Sequence, residues 1–236
     1  MTGEFWFAVG QIIMIDILLG GDNAVVIALA CRKLPLAQRK LGILWGTFGA
    51  IVLRVILIFF ALQLLALPFL KVVGALLLLW IGVKLLAPEE EEDHANIQAS
   101  DKLWSAVKTV IVADFVMSLD NVIAIAGAAQ GAAAEHELLL VIFGLIVSIP
   151  IIVWGSQMVI KLMDRFPVII TLGGMLLGWI AGTMALTDPA VIEYAPGIPQ
   201  TDTMKYVWGI AGALIVWALG KVLARKKTQA EQAAKA

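Results

Sequence analysis

The chain has 236 residues, 61% of them hydrophobic and 15% charged, with a net charge of −1 and a mean hydropathy of +0.95. Soluble globular domains average about 45–50% apolar and about 25% charged residues, so this composition belongs to an integral membrane protein. The near-neutral balance offers no basic face for nucleic acid, and the one cysteine, Cys31, excludes an internal disulfide and a multi-cysteine metal centre.

In chain order, the N-terminal stretch MTGEFWFAVGQ carries Glu4 but no Lys or Arg. It lacks the basic region of a signal peptide and reads as the start of a retained first span. A membrane helix needs about 20 largely apolar residues. That rule predicts seven spans, at about 5–31, 41–66, 69–87, 103–130, 137–160, 168–187 and 204–224. Pro68 and Pro167 mark the entries to the third and sixth, because proline fits the first turn of a helix and breaks an interior. Basic residues cluster after the first span (Arg32, Lys33, Arg39, Lys40), around the loop after the third (Lys84, Lys102), after the fifth (Lys161, Arg165) and in the tail (Lys221, Arg225, Lys226, Lys227). The intervening loops are poor in them, which predicts an N-terminus outside and a C-terminus in the cytoplasm. The run Glu89, Glu90, Glu91, Glu92, Asp93, His94 falls in a cytoplasmic loop and reads as a solvated charge run rather than a metal recruiter. His94 and His136 both lie in predicted loops, which argues against a zinc site built on His and Cys.

Two stretches organise the rest: IIMIDILLGGDNAVVIALA and VIVADFVMSLDNVIAIAGA. Asp16, Asp22 and Asn23 of the first recur as Asp114, Asp120 and Asn121 of the second, 98 positions on (114 − 16 = 120 − 22 = 98). Gly46 matches Gly144 at the same offset, and Gly74 and Trp80 match Gly173 and Trp179 at 99. Three spans are followed by three related spans, and an odd number turns the second set upside down. The expected fold is all-α and integral to the membrane, with seven transmembrane helices in a 3+3 inverted-topology repeat plus one extra helix. Its parts are a first repeat at 1–87, an acidic cytoplasmic loop at 88–102, a second repeat at 103–187, and the outer loop, seventh helix and basic tail at 188–236. Secondary transporters often have this plan, with the substrate site near the midplane where the repeats meet.

An ionised Asp at the centre of a membrane helix costs about 2.5–3.5 kcal/mol, so four in matched contexts point to an ion pathway. In a continuous helix, Asp16 and Asp22 stand about 9 Å and about 120° apart, too far to chelate one small cation together. Two arrangements remain open. The helices break near Gly20-Gly21 and Ser118-Leu119, or they stay helical and present carboxylates at two depths. Carboxylate and amide oxygens without nitrogen or sulfur suit hard divalent cations, Mg2+, Ca2+ or Mn2+. Four Asp give −4, Arg54 in mid-span leaves −3, and one divalent cation leaves −1. Without metal, so many like charges in a low dielectric would hold protons, and metal binding would release them, which suggests metal/proton exchange. Arg54 reads as a structural counter-charge, and Gln63 and Gln157 as helix-packing groups. The absence of a GxxxxGK[ST] phosphate loop and of a Ser/His or Cys/His pair in the spans argues against ATP hydrolysis and against an enzyme. The alternative is a non-transporting membrane partner that assists assembly or metal loading of other proteins. The extra seventh span and the loop with Pro189, Pro196 and Pro199 would dock such a partner, and a homodimer is also compatible.

GGDNAVVIALA and MSLDNVIAIAG, each with another Asp six residues before its Asp-Asn, resemble the two signature segments of TerC-family membrane proteins. The similarity is greatest to the smaller bacterial subgroup with an acidic loop between the third and fourth spans, and covers about residues 5–225. The resemblance implies a seven-span inner-membrane (plasma-membrane) protein of manganese homeostasis. Members are associated with Mn2+ efflux, with metal supply to exported enzymes and with tellurite resistance. It further implies metal donors at Asp16, Asp22, Asn23, Asp114, Asp120 and Asn121. No cofactor is expected to be permanently bound; Mn2+ is the implied cargo, ahead of Ca2+ and Mg2+.

Overall fold

The computed structural model describes residues 21–65, 67–87, 99–130 and 137–235, with Gly10 and Met14. Only the backbone is described at 58, 59, 61–63, 65, 99, 120–130, 137–145, 148, 227, 228 and 230–235. Asp16 and Gly20, the acidic run with His94, and His136 lie outside the described residues.

Among the described residues every regular element is a helix. They are α1 (Gly21–Cys31), α2 (Leu36–Leu65), α3 (Leu70–Leu86), α4 (Ala99–Gln130), α5 (Glu137–Arg165), α6 (Val168–Leu186), α7 (Pro189–Tyr194) and α8 (Asp202–Lys235). Helix is the solution that satisfies backbone N–H and C=O groups within one segment, which a bilayer demands. Within α2, α6 and α8, the stretches Leu36–Leu57, Val168–Leu186 and Asp202–Lys226 are long and apolar enough to cross a membrane. With the family assignment below, this makes the chain a multi-pass membrane protein.

Two elements depart from the sequence reading. The loop after the sixth span holds a six-residue helix, α7, so the described residues contain eight helices rather than seven. Asp188 caps it by accepting from the Ala190 N–H, and Pro189 supplies the fixed φ of a first helical position. α8 runs well past the expected end at 224, because its tail ARKKTQAEQAAK consists largely of strong helix formers.

The chain divides into two compact units that interleave in sequence, 1–66 with 103–162 and 67–102 with 163–236. The first thus draws on the first two spans of each expected triplet, and the second on the third span of each.

In the first unit α1 is sunk into the core, with Ala28, Leu29 and Cys31 fully buried. On α2, Gly42, Gly46 and Gly49 recur at helical spacing. A Cβ on Gly46 would meet Val110 of α4 at 3.0 Å, so the stripe lets α4 approach closely.

In the second unit α6 and α8 nearly touch backbone to backbone: a Cβ on Gly182 would overlap the Trp208 carbonyl. Asp188, with 0% exposure, ties the connections together. Its carboxylate accepts from the backbone N–H of Phe69 (2.9 Å), Val72 (3.1 Å) and Ala190 (2.7 Å). Phe69 adopts a left-handed φ of 67°, rare for a bulky residue, and its ring stacks on Tyr194 at 5.9 Å. The two tryptophans that the sequence matches at an offset of 99 differ in surroundings. Trp80 is exposed, whereas Trp179 packs against Tyr206 of α8 at 5.7 Å.

Candidate intramembrane metal site

The first-unit core holds the motif residues that are described. Asp22 and Asn23 sit in the first turn of the described part of α1, where the Asn23 N–H donates to Asp22 Oδ1 at 2.8 Å. The Asn23 side chain is buried, with 4% exposure, and neither its amide oxygen nor its amide nitrogen has a hydrogen-bond partner among the described residues. Burying such groups without partners costs about 1–3 kcal/mol, so each needs a reason to exist.

On α4, Asp114 is buried and sits in a closed polar ring. Arg54 of α2, with 3% exposure, donates from Nη2 to Asp114 Oδ1 at 2.7 Å. Ser118 Oγ donates to Asp114 Oδ2 at 3.1 Å, and Arg54 Nε donates to Ser118 Oγ at 3.1 Å. The role of Ser118 escaped the sequence reading, which treated Ser118-Leu119 as a possible helix break. That break does not occur: α4 is a continuous α-helix from Ala99 to Gln130. A continuous helix sets Ser118 one turn beyond Asp114 on the same face, and this spacing was the available signal.

The two motif segments meet at a closely packed cleft, too tight to admit a water molecule, lined by Asn23, Val26, Ile27, Val110 and Asp114. Asp22 lies within Coulombic reach of both Asp114 and Arg54. Thr47, two helical turns before Arg54 on α2, adds a buried hydroxyl that has no partner among the described residues. The structure therefore brings Asn23 and Asp114 to one tight cleft, with Asp22 beside Asn23 in the chain. Asp120 and Asn121 follow on α4, six and seven residues beyond Asp114, with only their backbone described; Asp16 lies outside the described residues. Among the described residues no group of three or more His, Cys, Asp or Glu side chains is placed to hold a metal ion. Asn23 and Asp114 supply oxygen donors, and Arg54 supplies the nearby positive charge.

A helical, multi-pass chain with a carboxylate, an amide and a guanidinium buried among apolar helices belongs to the class of integral membrane proteins with a polar intramembrane cluster. More particularly, the chain belongs to the TerC family of integral membrane proteins, whose family model matches residues 1–228. It is 43% identical over 215 residues to the uncharacterized membrane protein YjbE of Bacillus subtilis (strain 168), covering 91% of this chain and 95% of that protein. It is 26% identical over 233 residues to the uncharacterized membrane protein YkoY of the same organism, covering 90% and 71%. The inner membrane protein YgdQ of Escherichia coli (strain K12) is 25% identical over 179 residues, covering 69% and 73%. No solved structure matches the chain.

Proposed function

We propose that the protein is a secondary transporter that exports a divalent metal cation, Mn2+, across the inner (plasma) membrane, with its N-terminus outside and its C-terminus in the cytoplasm. The observation that carries this reading is the Asn23 amide, buried without a partner among the described residues, on a residue that lines the same tight cleft as Asp114. Asp16, Asp22 and Asn23 on one side, and Asp114, Asp120 and Asn121 on the other, are the donors of the pathway. Mn2+ follows from the family resemblance, since oxygen donors alone do not separate it from Ca2+ or Mg2+. Interleaving of the two packing units supports an inverted repeat, because equivalent spans of each triplet fall in the same unit.

In this reading Arg54 is a resident counter-ion. It neutralises Asp114 while the cation is elsewhere, and an arriving dication must loosen the guanidinium from that carboxylate. No phosphate-binding loop is present in the sequence, so the drive is an ion gradient, with protons the proposed counter-species. A non-transporting membrane partner is the second reading. The closed ring of Arg54, Ser118 and Asp114 favours it, since the ring satisfies Asp114 with no cation at all.

Cellular manganese separates the two. Cells expressing the wild type under manganese excess are expected to hold less of the metal than cells without the protein. Loss of outer-shell partners of a metal ligand already costs about 10- to 100-fold in affinity or activity, so Asp22→Ala or Asp120→Ala should cost at least that in export while the protein still inserts. Equal manganese in all four strains would leave the partner reading standing.

A further inference from the structure

Three helical hydroxyls in this protein are satisfied by their own backbone. Thr109, Ser156 and Thr183 each donate to the carbonyl four residues earlier, those of Ser105, Ile152 and Trp179, at 2.8, 2.8 and 3.2 Å. A Thr or Ser in a helix has this acceptor within reach of one of its rotamers. Thr47 of α2 does not use it. The residue is 1% exposed, yet its Oγ1 has no partner among the described residues, the Ile43 carbonyl included. A hydroxyl held in that way among apolar helices costs free energy, so its place calls for a ligand that the helices do not supply.

Packing sets the level of Thr47 in the first unit. Thr47 and Arg54 are seven residues apart and so lie within about 20° of each other around α2. Ile43, Ala50 and Leu57 complete the same buried face. A Cβ on Gly46 would meet Val110 at 3.0 Å, and eight residues further along α2 Arg54 bonds Asp114 and Ser118. α2 and α4 therefore run parallel, with Thr47 level with Val110. Val110 precedes Asp114 by one turn, about 6 Å, and lines the tight cleft together with Asn23, Val26, Ile27 and Asp114. Both helices begin at the cytoplasmic face in the proposed orientation. Thr47 then stands about 6 Å to the cytoplasmic side of Asp114, the side from which an exported cation arrives. Because the cleft is too tight for water, a cation reaches this level only when α1 and α4 draw apart.

We infer, resting on the transport reading above, that the Thr47 hydroxyl oxygen is a further donor to the dication, met on its cytoplasmic approach to Asn23 and Asp114. Hard dications accept neutral oxygens beside carboxylates and waters. A neutral oxygen replaces a hydration water without adding a charge that would hold the ion back, as an entry position requires. Thr47 belongs to neither Asp-Asn motif, so the repeat does not mark it.

The test measures manganese flux in proteoliposomes of the full-length protein over a range of Mn2+ concentrations. Thr47→Val removes the oxygen and nearly keeps the shape, whereas Thr47→Ser keeps the oxygen and removes a methyl. Thr47→Val is expected to raise the KM for Mn2+ about tenfold, the low end of what losing a supporting group at a metal site costs, with the maximal rate retained. Thr47→Ser should keep the wild-type KM. Melting temperatures should run the other way: Thr47→Val, which needs no partner, at or above the wild type, and Thr47→Ser, one methyl short, below it. A purely structural role would move KM and stability together and would overturn the inference. A wild-type KM in Thr47→Val would overturn it too while leaving the transport reading in place; absence of flux through the wild type would remove both. If Thr47→Val fails to fold, Thr47→Ala is measured in its place against the same criterion.

Discussion

Asp114→Ala is expected to cost about 3–5 kcal/mol of folding stability, and adding Arg54→Met to recover most of that loss. Both side chains of the pair are nearly inaccessible, at 3% for Arg54 and 7% for Asp114. Removing the carboxylate alone takes the anion from beside a buried guanidinium and also takes away the acceptor of the Ser118 hydroxyl. Replacing both partners by apolar side chains removes the charge that needed compensation, and buried ion pairs exchanged in this way are often neutral or better. Thermal unfolding in micelles reads the two variants directly. The double variant also divides the functional readings. If Asp114 donates to a passing cation, the double variant folds and exports nothing. If Asp114 is only a clamp between α2 and α4, the double variant keeps whatever activity the wild type has.

Asp188→Ala is the second change with a large expected effect, again about 3–5 kcal/mol, through a different cause. One fully buried carboxylate accepts three backbone N–H groups, at the start of α3 and the start of α7. Hydrogen bonds to a charged group contribute about 1.5–3 kcal/mol each and do not add fully within one cluster. The same carboxylate helps hold Phe69 at its positive φ, a conformation that persists only where its surroundings over-determine it. Asp188→Asn should fall between: it keeps one oxygen for Phe69 and Ala190 but turns an amide N–H2 toward the Val72 N–H, or the reverse. Thermal unfolding, with limited proteolysis of the stretch 195–201, checks both variants. An unchanged melting temperature for Asp188→Ala would contradict this role.

Asp188 also shows where the sequence stops being legible. Its partner Phe69 is 119 positions away, and no local pattern connects them. Only the Asp-Pro cap of α7 was written locally, and it was hidden inside a stretch that reads as a proline-rich loop. Membrane class, helical content and the positions of most helices were legible because hydrocarbon leaves the backbone few alternatives and apolar run lengths report them. The buried position of Arg54 was legible too, since a lone base in mid-span needs an anion; which anion was not. Ser118 was misread because a small polar residue between apolar neighbours signals both a weak point and a hydrogen-bonding neighbour one turn along. Interleaving of the two units lay beyond the chain order, because it depends on which helical faces meet.

The most direct test of the central claim is manganese flux in proteoliposomes for the wild type and Asn23→Leu. Leucine matches asparagine in shape but needs no partner, so the variant should be at least as stable as the wild type, having shed an amide that has no partner among the described residues, a cost of about 1–3 kcal/mol. The account predicts that wild-type vesicles move manganese and that Asn23→Leu vesicles, equally well folded, do not. Equal flux through both, or none through either, would contradict it.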